Sequence, residues 1–339
     1  MSSTTYAKDQ PRGFTNRIER VAIVGAGGRQ GAHMTEQLLK TGRHNVTALT
    51  RASSETKLPP SVQVAIVDYE DEDSISTALA GQQALVITLA HGVDIEVHHR
   101  IVRAAGKAGV PYIVPNIYAA NIVVNNQGLV DDFFPAAPLR SLLTEIERVG
   151  VSSWTVLVGS VWFDYSFPAG PNFLGFDIEG RQVTFFDQGT AKINTTTWAQ
   201  YGRSLAAFMS LKQLPEDEND TSPTVSRFIN QPLYVSSFFV SQRDIFNTLQ
   251  VATGTTDADW TIAYETTKDR MADGKATAAA GDFRGLVKTY YSFLLSPEGQ
   301  KLNYEDKLQN GLLGLPKEDL VQVVQECVTK AENGYNPFQ

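Results

Sequence analysis

The 339-residue chain has a single cysteine, Cys327, so no disulfide can form within it, and such sparing use fits a reducing compartment. No apolar stretch approaches the roughly 18 residues that a membrane-spanning helix needs. Runs of Lys or Arg are missing too: 29 basic residues stand against 37 acidic ones, a formal net charge of −8. That balance argues against nucleic acid or an anionic membrane as the main partner. The N-terminal stretch MSSTTYAKDQPRGFTNRIER is polar and lacks the apolar core of a signal peptide. No carboxylate–histidine cluster has metal-ligand spacing. These absences make a cytoplasmic enzyme or regulator the default; the partner expected of it is a small hydrophobic molecule, and its expected state a monomer or homodimer.

What is present is an ordinary globular composition, 42% hydrophobic and 19% charged. The length suits two modest domains, or one large α/β domain with an attached lobe. Short apolar runs alternate with amphipathic ones through the first half. Strands are expected at 20–24, 46–49, 62–67, 84–89, 112–114 and 154–158, and helices at 30–40, 73–80, 97–108 and 139–149. In the third of these helices, Val97, Ile101, Ala104, Ala105 and Ala108 share the apolar face, which leaves His98 and His99 on the polar one. Apolar strands alternating with helices imply a parallel sheet covered on both faces.

After residue 160 the pattern changes. SVWFDYSFPAGPNFLGF is aromatic and rich in Gly and Pro, and GRQVTFFDQGTAKINTT reads as a hairpin turning near Asp187, Gln188 and Gly189. A helix is expected from Thr195 to Leu211. LYVSSFFVSQRDIFNTLQVATG reads as a strand, then a helix capped by Ser241 and ended by Gly254. Further helices are expected at 285–296 and 316–332. The expected architecture is a Rossmann-type doubly wound sheet over 18–160 with a returning segment near 230–255. A smaller substrate lobe would be built from 161–229 and 256–335.

The segment VAIVGAGGRQGAHM places four glycines in seven residues between a strand and a helix, the context of a dinucleotide site. A tight turn needs a residue without Cβ at Gly25, a pyrophosphate on the helix N-terminus needs close approach at Gly28, and Gly31 lets the helix press on the sheet. Arg29 and Gln30 lie inside this loop. The second strand ends in Leu49-Thr50-Arg51, where an NAD site would carry Asp or Glu to hold the ribose 2′-OH. Arg51, with Arg29 and Lys57, favours a 2′-phosphate and so NADP(H) as cofactor. The plainer reading of Arg51 or Lys57 alone is a solvated surface cation.

GAGGRQG, followed by LTR, ALVITLAHG and HHRIVRAAGKAGVPYIVPN, resembles the NmrA-like and isoflavone-reductase-like branch of the atypical short-chain dehydrogenases. LLTEIERVGVSSWTVLVGSVWF and GRQVTFFDQGTAKINTTTWAQYGRSLAAF continue the match in order, and the C-terminal quarter departs from it. The resemblance implies an NADPH-dependent reductase; the substrate expected of it is a hydrophobic, aromatic or polycyclic molecule of specialised metabolism. In the NmrA branch it implies a cofactor-binding regulator without turnover. A third possibility is an enzyme that uses the nucleotide in a non-redox or unusual redox step. The family's reductases carry a lysine near the start of the helix before the sixth strand. Aligning on IERVG puts that position at or beside Arg140, and no lysine occurs between Lys107 and Lys192. The Tyr-x-x-x-Lys pair of short-chain dehydrogenases is also missing.

Arginine stays protonated, so Arg140 can hold negative charge but cannot shuttle a proton. The candidate donors are His91 after the fourth strand and Tyr118 after the fifth, with Tyr165 a lesser one. Their plainer readings are a surface-loop histidine and a packing or cofactor-stacking tyrosine. Ala90, beside His91, joins the expected cofactor contacts. Asn116 would hydrogen-bond the nicotinamide ribose or hold a loop. Trp162, Phe163, Tyr165 and Phe167 are either an apolar substrate wall or the core of the small lobe.

Overall fold

The structure is a computed structural model and describes residues 5–90, 92–118, 121 and 136–337. The first half runs β1 (Arg20–Val24), α1 (Arg29–Lys40), β2 (Asn45–Thr50), β3 (Gln63–Ile66), α2 (Glu72–Leu79), β4 (Ala84–Ile87), α3 (Ile95–Ala108), β5 (Tyr112–Val114), α4 (Ala136–Val149) and β6 (Ser153–Val158). Then come β7 (Val161–Trp162), α5 (Phe163–Ser166), β8 (Phe176–Asp177), β9 (Gln182–Phe186), β10 (Lys192–Thr196), α6 (Trp198–Met209), β11 (Gln231–Tyr234), β12 (Phe238–Ser241) and α7 (Gln242–Thr253). The chain finishes with β13 (Thr261–Glu265), α8 (Thr267–Ala279), α9 (Arg284–Leu294) and α10 (Leu320–Glu332).

Seven parallel strands form the main sheet in the order β11-β6-β5-β4-β1-β2-β3. Strand alternation divides the core between its two faces. Val21 and Ile23 pack with Met34 and Leu38 of α1 and with Tyr201 and Leu205 of α6. Ala22 and Val24 pack with Ile75, Ile101 and Ile146 of α2, α3 and α4. The doubly wound parallel sheet expected from the alternating pattern is therefore the observed one. Chain order reverses between β1 and β4, which opens a crevice at their carboxyl ends.

Outside this sheet the strand pairing differs from expectation. The stretch read as one hairpin contributes β9 and β10 to two separate small sheets. β9 lies between β8 and β13, whereas β10 lies between β7 and β12. The turn itself exists, with Gly189 N–H bonded to the Phe186 carbonyl, but Asp187 sits at φ 52° and its N–H goes to Glu265. That hydrogen bond continues the pairing of β9 with β13 and sends β10 elsewhere. The single strand expected before Ser241 is likewise two: β11 joins the main sheet, and β12 does not. Ser241 does cap α7, in a capping box with Asp244, and Gly254 ends it at φ 65°.

Candidate nucleotide and substrate site

The crevice is built from the glycine turn upward. Gly25 adopts φ 78°, and any Cβ there would strike the Thr88 carbonyl. A Cβ on Gly31 would strike the Gly25 carbonyl, so these two glycines allow β1, β4 and α1 to meet. Thr88 Oγ1 completes the junction by donating to the carbonyls of Val24 (2.8 Å) and Gly25 (3.1 Å). Gly28 is exposed and caps α1 without a side chain, and the first turn carries no acidic residue. Backbone donors and the positive end of the helix dipole thus face the crevice, the arrangement a pyrophosphate requires. Gln30 is 8% exposed, and its Nε2 has no hydrogen-bond partner among the described residues, a buried donor on the same turn.

The loop after β2 folds over this turn. Thr56 and Leu58 lie against Gly27, where a Cβ would meet the Thr56 methyl and push it aside. Arg51 and Lys57 are exposed on that loop. Arg29 points elsewhere: its Nη1 donates to the Pro337 carbonyl at 2.7 Å, and its guanidinium lies 5.8 Å from the Tyr165 ring centroid. Three cations read together from the sequence therefore divide, with Arg51 and Lys57 on the β2 loop and Arg29 turned to Pro337 and Tyr165.

On the far side of the crevice, Ala90 is exposed and His91 lies outside the described residues. The Asn116 amide engages the backbone of Leu89. Its Oδ1 accepts from Leu89 N–H (3.1 Å), and its Nδ2 donates to the Leu89 carbonyl (3.2 Å). Of its two expected roles, the structure supports holding a loop. Tyr118 is corrected outright: it is 5% exposed, and its hydroxyl donates to the Ile87 carbonyl at 2.9 Å. With its ring buried and its proton committed to that carbonyl, this phenol is placed as a core group and away from the donor role expected of it. His98 is also corrected, being 2% exposed, with burial lowering its pKa to about 3. The helix turns this histidine under β5, where its Nε2 faces Asn116 N–H at 3.5 Å. Arg140 lies half-buried on the first half of α4.

The four aromatic residues split. Phe163 and Phe167 are fully buried and stacked on each other, in the same core cluster as the α2–α4 face of the main sheet, so they are core and do not form a substrate wall. Trp162 and Tyr165 are half-buried, in edge contact at 5.7 Å, and both meet Trp198 at the start of α6. Two elements of the site had escaped the sequence reading. One is Tyr201, whose hydroxyl donates to the Tyr118 and Ser160 carbonyls at the ends of β5 and β6. The other is the segment around Tyr335 and Pro337. A cavity of about 440 Å³ lies elsewhere, between α7 and α10 beside Trp260.

A doubly wound parallel sheet with an uncapped glycine turn at its switch point defines a dinucleotide-binding protein of Rossmann type. Comparison with known proteins is specific on this point: residues 25–129 match the NAD(P)H-binding family, so the chain carries an NAD(P)H-binding domain. The chain is 27% identical over 310 residues to oxidoreductase aprR of Aspergillus flavus, covering 90% of this chain and 97% of that one. It is 24% identical over 313 residues to oxidoreductase poxI of Penicillium oxalicum, covering 89% and 92%. In fold it is similar to AtPrR2 solved with NADP+ and (+)pinoresinol, with a TM-score of 0.72 at 16% identity over 93% of this chain and all of that one. An isoflavone reductase superposes with a TM-score of 0.69 at 16% identity, over 91% and 99%. The fold is that of the isoflavone-reductase-like proteins.

Proposed function

We propose that this protein is an NADP(H)-dependent oxidoreductase that reduces a hydrophobic aromatic or polycyclic small molecule. The observation that carries the cofactor choice is the end of β2, where the exposed cation Arg51 stands in place of an acidic residue. A guanidinium there pairs with a 2′-phosphate and gains little from a 2′-OH. The fungal relatives named oxidoreductases, alike over nine-tenths of the chain, support the enzymatic reading. The structures solved with NADP+ and pinoresinol, and as an NADPH-dependent quinone oxidoreductase of Escherichia coli, support the substrate class.

When bound, the nicotinamide supplies the hydride. Gly25, Gly28, Gln30 and Gly31 receive the pyrophosphate, Arg51 and Lys57 the 2′-phosphate, and Ala90 the nicotinamide side. Arg140 holds negative charge that develops on the acceptor, and His91 supplies the proton. Trp162 and Tyr165 form the apolar wall. Aligning donor and acceptor in a dry crevice provides much of the rate. The absence of a lysine between Lys107 and Lys192 favours a second reading, a redox-sensing regulator that binds NADP(H) without turnover.

Arg51→Ala should weaken NADPH binding by roughly tenfold or more and leave NADH nearly untouched, by titration of NADPH and NADH fluorescence. Equal losses for both would overturn the 2′-phosphate assignment. Consumption of NADPH against aromatic ketones, enones, imines and quinones separates enzyme from regulator. Tight binding with no turnover across the panel favours the regulator.

A further inference from the structure

We infer that Asn116 is a positioning residue that sets the backbone of the β4–α3 loop against the nicotinamide half of the cofactor. The inference rests on the cofactor reading above and adds a residue whose side chain need not touch the nucleotide. Segment 88–90 leaves β4 at the switch point and is held from both sides. Toward β1, Thr88 Oγ1 bonds the carbonyls of Val24 and Gly25. Toward β5, the Asn116 amide grips both backbone groups of Leu89, at 3.1 and 3.2 Å.

A primary amide can do this because it has an acceptor and donors in one plane, like the backbone of a neighbouring strand. β5 stops at Val114, so the pairing of β4 with β5 ends at Val86 and Val114. Asn116 continues that ladder past its last residue pair. Beneath it, buried His98 of α3 sits within 3.5 Å of the Asn116 N–H through Nε2. Its Nδ1 has no partner among the described residues. The imidazole is therefore a fixed neutral prop whose acceptor nitrogen is turned to Asn116.

The direction of the effect follows from the two halves of the crevice. The adenosine half lies toward β2, where Arg51 stands, so the nicotinamide half runs across β4 toward β5. Loosening Leu89 then disturbs only the latter. The site is tested with the full-length protein and two probes: NADPH, which spans both halves, and adenosine 2′,5′-bisphosphate, which occupies only the first. Asn116→Ala deprives both Leu89 groups of their partner. Asn116→Asp keeps the shape and the acceptor but cannot donate to the Leu89 carbonyl.

Both variants should bind NADPH roughly tenfold more weakly, as expected for unpaired backbone groups, with adenosine 2′,5′-bisphosphate affinity unchanged. Unchanged NADPH affinity in a folded variant overturns the inference. Parallel loss of both ligands, or failure of both variants to fold by circular dichroism, makes Asn116 a general stability residue and overturns it as well. Wild-type protein that is folded yet binds neither probe overturns the cofactor reading instead.

Discussion

His98 and Asp164 give two residues whose burial opposes their charge, with opposite consequences for stability. Burial, with neighbouring His99, lowers the His98 pKa from 6.5 to about 3, so the native state holds it neutral. The unfolded chain takes up a proton below about 6.5, and stability due to this site is lost as pH falls from there toward 3. Asp164 runs the other way. Burial raises its pKa from 3.8 to about 6, against the pull of Lys330 and the Trp198 N–H it accepts from. The native state holds that proton more tightly, so stability due to Asp164 is lost as pH rises from about 4 to 6. Asp164→Asn keeps the acceptor and removes the charge. Its stability relative to wild type should therefore rise between pH 4 and pH 7 in urea unfolding. The deficit of His98→Leu should shrink as pH falls over the same interval. A flat difference for either variant refutes the corresponding assignment. Neither shift was legible in the sequence: helical periodicity put His98 on the polar face, and only the packing of α3 under β5 reverses it.

At the scale of elements, most of the main sheet was legible because its strands are buried on both faces and its helices begin and end on strong signals. Asp71, Asp94, Ser241 and Asp319 all accept from first-turn N–H groups, and Gly109 and Gly254 close their helices in the left-handed region. Pairing between distant strands was not legible. Nothing in the alternation of β9 and β10 says which neighbour each will take, and the turn at Asp187 looked like a hairpin because local sequence encodes the turn alone. The glycine loop was legible because its chemistry demands backbone room. Gly31→Ala tests that demand. The added methyl meets the Gly25 carbonyl and Thr88 Oγ1, so α1 must lift from the sheet. The expected cost is roughly 1–3 kcal/mol in chemical denaturation, typical of overpacking, together with loss of NADPH binding. Full stability and full binding would mean that α1 does not press on the strand ends as described.

Across the whole molecule, the C-terminal stretch is tied to α6, which packs on α1 and the main sheet, by contacts that cross more than a hundred residues of sequence. Glu318 accepts from Arg203 and Thr197 of the α6 region, and Gln200 Nε2 donates to the Pro316 carbonyl. Beyond α10, the chain returns to the glycine loop. Pro337 is buried, its carbonyl accepts from Arg29 Nη1 at 2.7 Å and from the Tyr165 hydroxyl at 3.3 Å, and the Tyr335 ring stands edge-on to Tyr165. No motif or periodicity relates residue 29 to residue 337, which is why Arg29 was read only as a phosphate contact. If this return is one cooperative contact, Arg29→Ala and Tyr335→Ala remove the same interaction from its two ends. Each should lower the melting temperature, and the double variant should lose less than the sum, with a coupling of roughly 0.5–3 kcal/mol. Arg29→Ala combined with Arg284→Ala, whose partner is Asp282 on an exposed surface, should be additive. Additivity in the first pair would show that Tyr335 packs beside Tyr165 without holding the segment to Arg29.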